Sequence, residues 1–257
     1  MTTPPRRYVA IGDSLSEGIG DEPWPDGTPR GWTDRLAELL AAHHGEVDYA
    51  NLAVRGLRAH EVLATQVEAA LAMEPDVVTL TAGMNDLLRP RFEADAIRAT
   101  LAAIVAPFTA KGARLVVVPI PDIRSVSPAG RLLARRRVVL NEIYTWLSRE
   151  HGMEPPAVTT GTIFEDRRAW ADDRLHLSPL GHGRLAMAAA DALGVAGVGA
   201  WAVVPHGDPP RASLRSEGAW ARRHLGPWVA RGLTGRSSGD GVVAKRPELT
   251  GWRQPPA

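Results

Sequence analysis

Cysteine is absent from the 257 residues, which excludes disulfides, thiolate metal sites and a cysteine nucleophile. Long apolar runs are missing as well, and no stretch approaches the ~18 residues that a membrane-spanning helix needs. The opening Met1-Thr-Thr-Pro-Pro-Arg-Arg-Tyr-Val-Ala-Ile has only a short apolar segment before Gly12 and Asp13. It is too short for the core of a secretion signal, so a cytoplasmic location without a membrane span is expected. Neither an internal repeat of roughly 20 to 50 residues nor a low-complexity tract is present. Gly18-Ile-Gly20 lacks the spacing, the phosphate-binding lysine and the distal acid of a nucleotide loop. No His-Glu-x-x-His pattern occurs, and His182 has no acidic or histidine partner one helical turn away, so its expected role is packing. No cofactor and no metal are expected. Apolar residues make up 44% and charged residues 23%, with a formal net charge of +1, an ordinary globular composition that is silent about chemistry.

What is present is alternation. Short β-branched or apolar runs at Tyr8 to Ile11, Val47 to Leu52, Val77 to Ala82 and Leu115 to Ile120 read as strands. Helical spacing fills Trp32 to His43, Glu61 to Met73, Ala94 to Lys111 and Leu132 to Glu150 between and after them. Ser178-Pro179, a serine cap with proline at the first helical position, launches a last helix over Leu180 to Leu193. Strands alternating with helices predict an α/β fold, a parallel sheet with helices on both faces. Arg135-Arg136-Arg137 within a helical stretch reads as a solvated face.

Residues 1–205 form the predicted body and 206–257 a C-terminal extension of different composition. The body carries net −4 and the extension +5, with three tryptophans in the extension. Tryptophan needs something to pack on, so the extension is expected to lie on the body or on a second subunit, a route to a homo-oligomer. Its charge without a recognised fold does not point to nucleic acid. Gly235-Arg-Ser237-Ser-Gly239 fits a nucleophile-elbow pattern but lacks the preceding strand, the following helix and any downstream histidine, and reads as a turn.

In an open α/β sheet, reactive groups gather at the carboxyl ends of the strands. Gly12-Asp13-Ser14 follows the first strand, Asn51 to Gly56 the second, Gly83-Met84-Asn85-Asp86 the third, and Asp173-Arg-Leu-His176 precedes the last helix. A serine hydroxyl needs a base, and the base needs a group that holds its tautomer. Asp173 and His176, three apart on one loop, supply both for Ser14. The Ser14 N–H, the Gly56 N–H and the Asn85 amide are the candidate donors to an oxyanion, and glycine at 56 leaves the main chain open to approach. Taken alone, Ser14 reads as a helix cap and Asn85 as the cap of the next helix; together the four blocks read as a site. Asp13 and Asp86 are expected to hold their loops. Arg55, Arg58, Arg89 and Arg91 flank the donors and are candidates for binding an anionic substrate group, or for pairing with local acids.

These blocks in this order resemble the SGNH hydrolases, also called the GDSL esterase/lipase family, over roughly residues 7 to 193. The first block matches as Gly12-Asp13-Ser14-Leu15-Ser16-Glu17-Gly18 and the third as Gly83-Met84-Asn85-Asp86. The family has proline directly after the histidine, whereas here it stands at Pro179. The resemblance implies a flavodoxin-like three-layer α/β/α sandwich and a cofactor-free serine ester hydrolase. Its catalytic residues would be Ser14, Asp173 and His176, its oxyanion donors Ser14, Gly56 and Asn85, and its substrates would range over acetylated sugars, lysophospholipids, acyl-thioesters and short-chain esters. With neither a secretion signal nor a lipid-sized apolar lid in the sequence, a small soluble acyl or acetyl ester is expected. An acyltransferase using the same serine, and a silent binding or regulatory protein on the same fold, are the alternatives.

Overall fold

Side chains that alternate between two apolar faces make the first strand the centre of the architecture. The computed structural model describes residues 6–153, 160–207, 218, 220, 222, 223 and 238–252, and in it Arg7–Gly12 forms β1. Tyr8 and Ala10 enter one core, Val9 and Ile11 the other, and all four are fully buried, as a strand covered on both faces requires. Asp48–Asn51 (β2), Val77–Thr81 (β3) and Arg114–Val117 (β4) run parallel to it. The order β4-β3-β1-β2 places a topological switch between β1 and β3, where doubly wound sheets open a crevice.

Helices cover both faces. Gly31–His44 (α2, following the short α1, Ser14–Glu17) and Pro179–Ala192 (α7) enclose the core with Tyr8 and Ala10. Ala59–Ala72 (α3), Ala94–Ala110 (α5) and Pro128–Glu150 (α6) enclose the other, and Met84–Leu87 (α4) is a single turn after β3. The three-layer α/β/α arrangement expected from the sequence is therefore present. Start signals account for the shifted boundaries. α6 begins at Pro128 after Ser127, a serine-proline start like that of α7. α3 begins at Ala59 because the Asp86 carboxylate takes the Ala59 N–H at 3.0 Å and Glu61 takes the Arg58 N–H at 2.8 Å. The arginine run of α6 is not simply solvated: Arg136 donates to the carbonyls of Leu87, Arg89 and Pro90, and Arg137 to that of Ile120.

The sheet departs from the expected all-parallel form at one edge. Arg246–Gly251 (β5) pairs antiparallel with β2, Asp48 opposite Gly251 and Asn51 opposite Arg246, so the sheet is mixed. Its sequence, Arg-Pro-Glu-Leu-Thr-Gly, lacks apolar alternation and is largely exposed, and Pro247 is acceptable there because an edge strand leaves one side of its ladder unpaired. Side chains fix it instead. The buried Lys245 ammonium sits 2.9 Å from Asp34 Oδ1 and donates to the carbonyls of Pro29, at 2.8 Å, and Arg30. The Trp252 ring packs edge-on to Tyr49, and its backbone N–H donates to the Val47 carbonyl. Gly235 to Ser237 of the serine motif in the extension lie outside the described residues. Among the described residues no helix is long and apolar enough to cross a membrane.

Candidate active site

β1 ends at Gly12, where φ is +134° and a Cβ would stand 2.1 Å from the Thr81 carbonyl oxygen. Glycine alone lets β1 turn this close to β3. Gln66 of α3 clamps the same residue, accepting the Gly12 N–H at 2.7 Å and donating to its carbonyl at 2.9 Å. Asp13 is then the N-cap of α1, its carboxylate accepting the Leu15 N–H at 3.2 Å, so Ser14 is the first helical residue rather than the cap.

The loop between Trp170 and Leu177 is closed by a bridge between those two residues and by Ala171 N–H donating to the His176 carbonyl at 2.9 Å. Inside it Asp173 Oδ1 accepts the N–H groups of Leu175 and His176, each at 3.0 Å, while Oδ2 lies 2.6 Å from His176 Nδ1. The other ring nitrogen, Nε2, is 3.1 Å from Ser14 Oγ. Burial would raise the Asp173 carboxyl, but the hydrogen bond and charge of His176 and the two backbone donors outweigh it and hold it down at about 2. Asp173 is then ionised at neutral pH and accepts hydrogen bonds only, which assigns the imidazole proton to Nδ1 and the lone pair on Nε2 to Ser14. The sequence places these three residues 162 positions apart at most; the fold aligns them in one row.

Asn85, on α4, donates from Nδ2 to the Leu57 carbonyl at 2.9 Å and to Asp13 Oδ2 at 3.3 Å, so it spans the loops after β1 and β2. Burial pushes the Asp13 carboxyl up to about 6, partly offset by the Leu15 N–H and the Thr81 hydroxyl. Gly56 adopts φ +79°, and the loop that carries it is drawn over Gly12 by the Val54 N–H, 3.1 Å from the Gly12 carbonyl.

Among the flanking arginines, Arg55 is bound to the buried Glu17 of α1 through its backbone N–H at 2.6 Å and its guanidinium. Arg58 pairs with Glu61 at 3.1 Å. Both are engaged with local acids. Arg89 is half-buried and Arg91 exposed.

Several supporting residues escape sequence reasoning. Gln66 is a polar residue on an otherwise apolar helix face, a signal that was there to be read; Glu17 and Lys245 carry none, since their partners are distant in the chain. His182 packs as expected and also bonds: Nδ1 accepts the Trp32 N–H and Nε2 donates to the Ile19 carbonyl, both at 3.1 Å. Burial, only partly countered by Asp21, brings it down to about 4, so it is neutral at pH 7 and satisfies an orphan N–H of α2. Trp220 of the extension lies over the Arg174 guanidinium, 4.7 Å from ring centre to carbon, and Arg174 stands between Asp173 and His176 in the chain. Among the described residues no group of three or more His, Cys, Asp or Glu side chains is placed to hold a metal ion.

The model of the GDSL-like lipase/acylhydrolase family matches residues 10–184. Among solved structures, an alpha/beta hydrolase from the metagenome of Lake Arreo, Spain, is 21% identical with a TM-score of 0.61, over 74% of this chain and 95% of that one. A lipase/acylhydrolase from Enterococcus faecalis is 20% identical with a TM-score of 0.60, over 73% and 95%. Axe2, an acetylxylan esterase from Geobacillus stearothermophilus, is 22% identical with a TM-score of 0.57, over 74% and 94%. At these identities the likeness is one of fold. No curated protein matches the sequence.

Proposed function

The chain belongs to the GDSL-like lipase/acylhydrolase family, whose reaction class is ester hydrolysis, and from that premise we propose a serine esterase that acts on small soluble acyl or acetyl esters through an acyl-enzyme. The observation that carries the proposal is the row Asp173 Oδ2, His176 Nδ1, His176 Nε2, Ser14 Oγ, with separations of 2.6 and 3.1 Å at its two ends. Ser14 Oγ attacks the ester carbonyl carbon as its proton passes to Nε2. Asp173 stabilises the imidazolium and keeps its orientation. The tetrahedral oxyanion receives the Ser14 and Gly56 N–H groups and the Asn85 amide, whose longer contact, 3.3 Å to Asp13, marks the hydrogen it shares. Collapse breaks the ester C–O bond, and the leaving alkoxide takes the proton from Nε2. Water then enters by the same route and attacks the acyl carbon as it loses a proton to Nε2; collapse breaks the bond from that carbon to Oγ, Nε2 returns the proton to Ser14 Oγ, and the acid is released.

A fluorophosphonate probe tests this directly. Wild-type protein is labelled at Ser14 and Ser14→Ala is not; folded wild-type protein that resists the probe overturns the proposal. Turnover of p-nitrophenyl esters of increasing chain length, alongside acetylated sugars, locates the acyl preference, with acetyl expected to lead.

A further inference from the structure

Antiparallel pairing decides where the C-terminal segment goes. Because Arg246 lies opposite Asn51, the last residue of β2, whatever precedes Arg246 sits beyond the carboxyl end of the parallel strands, where the candidate site is. The segment reaches it as a turn closed by the Val242 N–H on the Gly239 carbonyl at 3.0 Å. Lys245, buried on Asp34 and the Pro29 carbonyl at 2.9 and 2.8 Å, anchors that turn to the body. Gly239 rests so closely on the loop after β2 that a Cβ there would lie 2.1 Å from the Arg55 carbonyl oxygen and 3.3 Å from Val54 Cγ1.

The Arg55 carbonyl and the Gly56 N–H belong to one planar trans peptide and point in opposite directions. Glycine at 56 leaves that peptide free to rotate. On one side Arg55 is tied by its own N–H to Glu17 Oε2 at 2.6 Å; the carbonyl on the other side faces Gly239. We infer that Gly239 is a positioning residue for the oxyanion site: its backbone seats the Arg55 carbonyl and so aims the Gly56 N–H at the developing charge. The inference rests on the proposed serine mechanism and extends it, since it makes residues far beyond the catalytic blocks part of the site's geometry. A side chain at 239 must displace either an exposed turn or the peptide that carries the donor, and the anchored Lys245 resists the first.

Gly239→Ala in the full-length chain tests it, compared with wild type for p-nitrophenyl acetate turnover, fluorophosphonate labelling rate and thermal melting. Losing an entire oxyanion donor costs about 10²–10³ in kcat, so a misaimed one is expected to cost about tenfold, with KM changed by less than about twofold. The labelling rate falls in parallel, and the melting temperature stays with wild type because the turn is exposed. Three results overturn the inference: kcat unchanged, KM raised with kcat unchanged, or a lowered melting temperature that accounts for the lost activity. Failure of the serine mechanism shows separately, as wild-type protein that the probe does not label.

Discussion

The loop 173–176 and the segment 238–252 both reach the carboxyl end of the sheet, but they are held there by opposite means. The first is organised locally: Asp173 bonds to residues two and three positions on, a bridge closes the loop and α7 starts directly after it. The second has almost no local code. Its strand pairs with a partner roughly 200 positions earlier, and a single buried ammonium, Lys245, ties it to a carboxylate that also accepts from Trp24 and Tyr49. Local loops concentrate chemistry in a few residues, whereas a distant strap concentrates stability in its anchor. Substitutions in the two regions should therefore separate activity from folding.

The largest effect is expected in the loop. His176→Ala lowers kcat as far as Ser14→Ala, by about 10⁴-fold or more, because the group acts as a unit; Asp173→Asn retains more. Melting of all three variants stays close to wild type. Near-normal hydrolysis by His176→Ala would place the base elsewhere. Lys245→Met is the reverse case. It strands the Asp34 carboxylate in the interior, and breaking a buried pair by removing one partner costs about 3–5 kcal/mol. Urea unfolding measures the loss, and Lys245→Met combined with Asp34→Asn should recover part of it. A Lys245→Met protein as stable as wild type would show that β5 is held by its ladder and not by its anchor.

The same contrast explains what the sequence discloses. Ser14 and Asn85 stand in short blocks at the ends of strands whose apolar runs are readable one by one, and Asp173 and His176 in a short block before a helix with a serine-proline start, so topology collects them. The body's elements appear near their expected positions for that reason. β5 was not readable, because an exposed edge strand containing Pro247 carries neither apolar alternation nor a run, and its register is written in the distant side chains of Asp34 and Tyr49. Gly56 was legible only as a glycine after β2; the contacts that orient its loop come from Glu17 and Gly239, for which no local pattern exists. Arg55 and Arg58 stood in the right place for substrate, but their nearest partners are Glu17 and Glu61.

Buried groups near the site give the next effect, in stability against pH. Asp13 is raised to about 6 in the fold, so its contribution is fully present below its ordinary value near 3.8 and is lost as pH rises through 6. His182 is lowered to about 4; its contribution is present above its ordinary value near 6.5 and is lost as pH falls through 4. Each limb amounts to about 3 kcal/mol, and the two oppose one another between pH 4 and 6. Wild-type urea midpoints should vary little from this pair. Asp13→Asn exposes the His182 limb, with stability falling toward acid, and His182→Gln exposes the Asp13 limb, with stability rising toward acid. Parallel profiles for the two variants would mean that these groups do not govern the window.

The smallest effect tests where the two regions meet. Arg174 holds φ +58° between Asp173 and His176, a conformation that is disfavoured without glycine, and Trp220 covers its guanidinium at 4.7 Å. A contact of this kind is worth about 0.5–1 kcal/mol at a partly exposed site. If it steadies the base loop, Trp220→Ala lowers kcat/KM about two- to fivefold at unchanged melting temperature, and Trp220→Phe, which keeps an aromatic face, restores most of it. The size matters more than the sign. A loss approaching that of His176→Ala would make the extension part of the chemistry, and no loss would confine its reach to the Gly239 turn, leaving the base loop organised by its own hydrogen bonds alone.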